Sequence, residues 1–202
     1  MRGVFIVLEG PDKSGKSTQA ELLVKRLRSL EIAVVHTREP GGTSFAEAIR
    51  RIVLDPKHQV DPTAELLLYE AARAQHTAHK LRPALANGDL VLCERYALAT
   101  LAYQGCARGI PLTLVRRLNA IATGGLKPDL TIVLDIPDSE FGSRRRSRHD
   151  RLELENSAFR RRVRDGYRLL ARKEPRVVLL NGRVPIEELH EEILGRVRRL
   201  LP

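Results

Sequence analysis

Gly10-Pro11-Asp12-Lys13-Ser14-Gly15-Lys16-Ser17 decides how this chain folds. The octapeptide fits G-x-x-x-x-G-K-[ST] and follows the apolar run Val4-Phe5-Ile6-Val7-Leu8. A buried strand that breaks into a glycine-containing loop and then a helix aims several backbone N–H groups at one point, and that point holds phosphate. Downstream, Thr18-Gln19-Ala20-Glu21-Leu22-Leu23-Val24-Lys25-Arg26-Leu27 carries apolar residues at helical spacing, so strand, loop and helix follow in the required order. In that setting Gly10, Lys13, Ser14, Gly15 and Thr18 cradle a nucleotide, Lys16 reaches its terminal phosphates, and the Ser17 hydroxyl takes a Mg²⁺ position. A bound nucleoside triphosphate is the expectation.

Outward from the loop, apolar strand candidates at 3–9, 32–37, 89–94, 129–136 and 176–181 alternate with helical stretches at 16–30, 43–54, 62–87, 97–105, 111–123, 154–173 and 185–200. Short Val/Ile/Leu-rich strands separated by helices predict an α/β fold, a five-stranded parallel sheet flanked by helices in one domain over 1–202. Gly41-Gly42-Thr43 closes a loop and supplies a helix cap, and Pro128-Asp129 marks entry to the fourth strand. Gly10, Arg38 and Glu94 fall at or just after strand ends, where ligands of such sheets gather, so one crevice can hold all three.

The net charge of +10 suits anionic partners, nucleic acid among them. Yet aromatics make up only 4% of the chain and no basic arm interleaves them, so a small nucleotide is expected and nucleic acid is not. Met1-Arg2-Gly3 runs straight into the first strand, and no apolar run approaches the roughly 18 residues of a membrane span. That reading places the chain in the cytoplasm, with no membrane partner. Cys93 and Cys106 lack C-x-x-C spacing, and Cys93 sits in a strand-like run, as a core thiol would. His76 and His79 lack the H-E-x-x-H arrangement of a zinc site.

Further blocks are Arg38-Glu39-Pro40-Gly41-Gly42-Thr43, Glu94-Arg95-Tyr96, Ala102-Tyr103-Gln104-Gly105 and Asp150-Arg151-Leu152-Glu153. With the phosphate loop they resemble, in order and spacing, the thymidylate kinases, a family of phosphate-loop nucleoside monophosphate kinases. The resemblance spans nearly the whole chain. It implies Mg²⁺-dependent transfer of the ATP γ-phosphoryl group to dTMP, with acceptor-binding helices at about 62–123, a short basic lid at about 142–153, and a homodimer packed through helices. By the same resemblance, Arg38 and Arg95 clamp the acceptor phosphate, and Asp12 contacts the acceptor sugar and orients it. Tyr69 meets the thymine ring and Arg73 hydrogen-bonds a base oxygen. Thr100, Tyr103 and Gln104 complete the acceptor site, with Tyr103 packed under the sugar where it leaves no room for a 2′-hydroxyl. Arg145 is the lid's catalytic cation, and Arg148 and Arg151 are candidates for ATP contacts.

The chain departs from the family pattern at four places. Glu94 replaces an aspartate and would hold Mg²⁺ through water, Ala99 replaces a serine, Leu98 an acidic residue, and Lys13 stands where one subgroup carries arginine. Two other readings therefore stay open: a kinase with a shifted acceptor such as dUMP, and a nucleotide-binding regulator of low turnover.

Overall fold

The computed structural model describes residues 3–141 and 150–201. Strands β1 (Phe5–Glu9), β2 (Val34–Arg38), β3 (Leu90–Glu94), β4 (Leu130–Asp135) and β5 (Val177–Asn181) form a parallel sheet in the order β2-β3-β1-β4-β5. The central strand β1 pairs Leu8 with Glu94 on one side and with Ile132 on the other. The chain leaves β1 toward β2 but leaves β3 toward β4, so the crevice lies beyond the ends of β1 and β3, where the winding reverses.

Alternation along the strands sorts the core. Ile6, Leu8, Leu92, Ile132 and Leu134 pack with Leu23 and Leu27 of α1 (Lys16–Arg28) and with Ile193 and Val197 of α8 (Ile186–Arg198). On the opposite face, Phe5, Val7, Val91 and Cys93 meet Leu81, Leu85 and Tyr96. Burial pushes the Cys93 thiol up, as befits a packing group. Val133 joins Phe159, Val163 and Leu170 of α7 (Ser157–Lys173) in a separate cluster.

Three elements differ from the sequence expectation. The helix expected over 62–87 is α3 (Pro62–His76), a π-helical turn at Thr77–Leu81 and α4 (Arg82–Ala86). Pro83 explains the interruption, because its ring collides with the carbonyl four residues back and a wider turn relieves that clash. The stretch 97–105 is α5 (Ala97–Thr100) followed by a π-helical segment Leu101–Ala107, which carries Tyr103 and Gln104. Helix α7 begins at Ser157 rather than 154: Asp150 Oδ1 accepts from the Leu152 and Glu153 N–H groups to make a turn, and Asn156 then caps the Phe159 N–H at 2.9 Å. Helices α2 (Ser44–Leu54) and α6 (Leu112–Thr123) pack on either side of α3. No helix among the described residues is long and apolar enough to cross a membrane.

Candidate active site

The phosphate loop is built by two glycines and one short-range contact. A Cβ at Gly10 would lie 2.5 Å from the Leu134 carbonyl oxygen, so only glycine lets β1 turn there beside β4. Gly15 takes φ +97° at the N-cap of α1 and offers no side-chain cap, and no acidic residue stands in the first turn. The leading N–H groups of Lys16, Ser17 and Thr18 therefore face the crevice with the positive end of the helix dipole behind them. Ser14 folds inward and its hydroxyl accepts from Lys16 Nζ at 3.2 Å.

Lys16 is buried, and its ammonium also donates to the carbonyls of Gly10 at 3.1 Å and Pro11 at 2.7 Å. Burial, reinforced by the Arg95 charge, pulls its pKa down to about 7 against the attraction of Asp12, Glu9 and Glu94. At pH 8 the amine is thus mostly neutral until polyphosphate arrives and favours its charged form. Binding of ADP at pH 8 should take up close to one proton per site. Calorimetry in buffers of differing ionisation enthalpy measures this, and a heat independent of buffer would contradict the lowered pKa.

Ser17 and Glu94 meet at the adjoining corner. Ser17 Oγ donates to Glu94 Oε2 at 2.6 Å, while Glu94 Oε1 lies 3.0 Å from His36 Nε2. Burial pushes Glu94 up, but the hydrogen bonds from His36 and Ser17 outweigh it and hold the carboxyl below its ordinary range. A hydroxyl whose proton goes to a carboxylate keeps its lone pairs for a hard cation, so the pair fits Mg²⁺. Among the described residues no group of three or more His, Cys, Asp or Glu side chains could hold a metal, so phosphate oxygens and water would complete the shell, as Mg²⁺ prefers.

Across the crevice Arg95 occupies the left-handed region at φ +67°, which turns its side chain back over the loop. Nη1 donates to the Gly10 carbonyl at 3.1 Å and to Tyr167 Oη at 3.2 Å, and Nη2 donates to Tyr103 Oη at 3.0 Å and to Asp12. Tyr103 Oη in turn donates to Asp12 Oδ2 at 2.9 Å. Beneath them Glu9, wholly buried, accepts from Tyr167 Oη and the Tyr96 N–H, each at 2.8 Å, and burial raises its pKa despite the nearby Arg95 charge. Arg38 is exposed at the mouth, 3.4 Å from Glu47, and Arg50 stands beside it with Nη1 donating to the Pro40 carbonyl at 3.0 Å. Asp12, Arg38, Arg50, Arg95 and Tyr103 line a cleft of about 550 Å³ that also takes in Lys13, Thr18, Tyr69, Thr100, Gln104 and Asp150, a volume in the range of small-molecule sites.

Two expected contacts take another form. Arg73 is 1% exposed and does not line the cleft. Its Nε donates to Glu39 at 2.8 Å, Nη1 to Glu70, Thr100 and Asn119, and Nη2 to the Tyr96 carbonyl, so it braces the wall behind Thr100 rather than facing a base. Arg151 donates to Glu65, a carboxylate with no solvent exposure, at 2.5 Å and to the Val53 carbonyl at 2.8 Å. Gln104 holds the same Glu65 at 2.7 Å. Lys13 Nζ donates to the Phe141 carbonyl at 3.1 Å and lies 4.0 Å from the centre of that ring. Arg145 and Arg148 lie outside the described residues.

The thymidylate kinase family model matches residues 8–193, from the end of β1 into α8. This chain belongs to the thymidylate kinase family. It is similar to the thymidylate kinase of Deinococcus radiodurans, with 48% identity and 97% of each chain covered, and to that of Syntrophotalea carbinolica, with 52% identity and 88% of each covered. A crystal structure of thymidylate kinase from Ehrlichia chaffeensis superposes with a TM-score of 0.79 at 33% identity, covering 98% of this chain and 99% of that one.

Beside the family's motif residues, the site uses side chains that sequence reasoning passed over. Glu9 was readable as the lone charge ending an apolar strand. Asp150 was read only as part of its motif; it lines the cleft, and burial and the Asp12 charge raise its pKa. Arg50 and Tyr167 carried no local signal, since an arginine or a tyrosine on a helix is common in folds of every kind.

Proposed function

We propose that the chain transfers the γ-phosphoryl group of ATP to dTMP, giving ADP and dTDP, in the cytoplasm. The observation that carries this reading is the hydrogen-bonded set Asp12–Arg95–Tyr103, which ties the phosphate loop directly to the acceptor side. The α1 N-terminus and Lys16 hold the triphosphate, while Arg95, with Arg38 and Arg50 at the mouth, receives the acceptor phosphate. A phosphate oxygen of dTMP attacks the γ-phosphorus as the bond to the β,γ-bridging oxygen breaks, and ADP leaves with that electron pair. The attacking oxygen bears no proton at neutral pH, so positioning and charge do the catalysis. Mg²⁺ at Ser17 and, through water, at Glu94 would offset charge on the β- and γ-phosphates. Tyr69 and Gln104 border the base. Exposed apolar side chains on helices that pack on α3 and on α3 itself, Phe45 and Ile52 of α2, Leu67 of α3, Leu114 and Ile121 of α6, support a homodimer packed through helices.

A panel of monophosphates with ATP and Mg²⁺ tests the reaction. By kcat/KM, dTMP should exceed dUMP at least about tenfold, the discrimination one methyl allows in an apolar pocket. Equal use of both would favour the shifted acceptor, and no turnover of any acceptor would favour a regulator. In the same panel Tyr103→Ala should narrow the preference for deoxyribose over ribose by opening space under the sugar, and Tyr103→Phe should preserve it. An unchanged ratio in the alanine variant would remove Tyr103 from the sugar pocket.

A further inference from the structure

Glutamate at position 94 carries one more torsion than an aspartate, so its carboxylate can swing between the phosphate loop and solvent. Two contacts hold it: Ser17 at Oε2 and His36 at Oε1. His36 stands on β2, where the register pairs it with Leu92 and Arg38 with Glu94, so the His36 and Glu94 side chains leave the same face of the sheet. Along that face Val34 and Leu92 pack into the apolar cluster under α1. His36 continues that row on the edge strand with its imidazole part-exposed, and the partner it meets there is the Glu94 carboxylate. A carboxylate offers only acceptors, so Nε2–H is the donor in this contact.

We propose that His36 is a positioning residue for phosphoryl transfer: its Nε2–H fixes Glu94 Oε1 and thereby keeps Oε2 turned toward Ser17 and the phosphates. The inference rests on the reading of Ser17 and Glu94 as the cation corner. The longer arm of glutamate gains from His36 the orientation that a shorter side chain would have from its own length. Hydrogen bonds that orient groups around a metal are worth roughly 10–100-fold in its affinity, although they never touch it.

The test uses the full-length protein with ADP and Mn²⁺, reading free Mn²⁺ by electron paramagnetic resonance. His36→Leu, which continues the apolar row, should weaken Mn²⁺ about tenfold and leave metal-free ADP affinity at the wild-type value. His36→Gln retains an N–H donor of similar reach and should recover most of the loss. In a Glu94→Asp background the carboxylate withdraws from His36, so adding His36→Leu should cost nothing further, as expected of two residues that act as one unit. Wild-type Mn²⁺ affinity in His36→Leu, or an equal loss of metal-free ADP affinity, overturns the proposal while the cation corner stands if Glu94→Gln weakens Mn²⁺. Wild-type Mn²⁺ affinity in Glu94→Gln overturns the corner itself, and the role of His36 falls with it.

Discussion

Lys16→Ala should lower kcat for dTMP phosphorylation roughly a thousandfold, the scale of losing a preorganised donor aimed at developing charge, while the fold persists. The ammonium sits on the Gly10 and Pro11 carbonyls and Ser14 Oγ, within the loop that receives the triphosphate. A side chain whose pKa burial lowers to about 7 becomes fully charged at neutral pH and above when an anion stabilises it, and the migrating phosphoryl group supplies that anion. Lys16→Met keeps the stem and deletes the charge, so it should fail as fully as the alanine variant. Steady-state turnover at saturating ATP and dTMP decides between two roles. Loss in kcat places the lysine on the transition state, whereas normal kcat with a raised KM for ATP would confine it to ground-state binding. Neither variant should lower the thermal midpoint, because each removes an amine that the folded state desolvates.

Strand periodicity made the sheet legible: all five strands end within two residues of their expected limits, since a doubly covered parallel strand is a short apolar run with little else to resemble. The π-helical segments were hidden because a helix that widens by one residue per turn keeps nearly the same apolar spacing, although Pro83 gave a clue to the first of them. Motif order brought Asp12, Lys16, Ser17, Glu94, Arg95 and Tyr103 into one neighbourhood. It could not say which carboxylate takes which arginine. Tyr69 and Arg73 lie one helical turn apart, yet Tyr69 lines the cleft and Arg73 turns into the protein, because Glu39 and Glu70 are buried within its reach. Arg151 pairs in the same way with Glu65, which lies 86 positions away in the chain. A charged residue goes to whichever opposite charge has the least water, and that is a property of the assembled interior.

Arg95→Ala should reduce kcat/KM for dTMP by roughly a hundred- to a thousandfold, corresponding to about 3–4 kcal/mol for removing one member of a partly buried, hydrogen-bonded charge pair. Arg95→Lys should restore little of this, since an ammonium cannot present the planar fork that reaches Gly10 O, Tyr167 Oη, Tyr103 Oη and Asp12 together. The same contacts raise a competing explanation, that Arg95 merely props the phosphate loop. ADP affinity separates the two. If Arg95 serves the acceptor, ADP binds the alanine variant as it binds the wild type; if it props the loop, ADP and dTMP affinities fall together. The backbone supplies an independent control, because position 95 holds φ +67°, a conformation that costs any residue with a Cβ but not glycine. Arg95→Gly should therefore be more stable than Arg95→Ala by about 1 kcal/mol in denaturant titrations while being equally poor with dTMP. A glycine variant that regained activity along with stability would show that loop geometry, not the guanidinium, was what the alanine substitution had damaged.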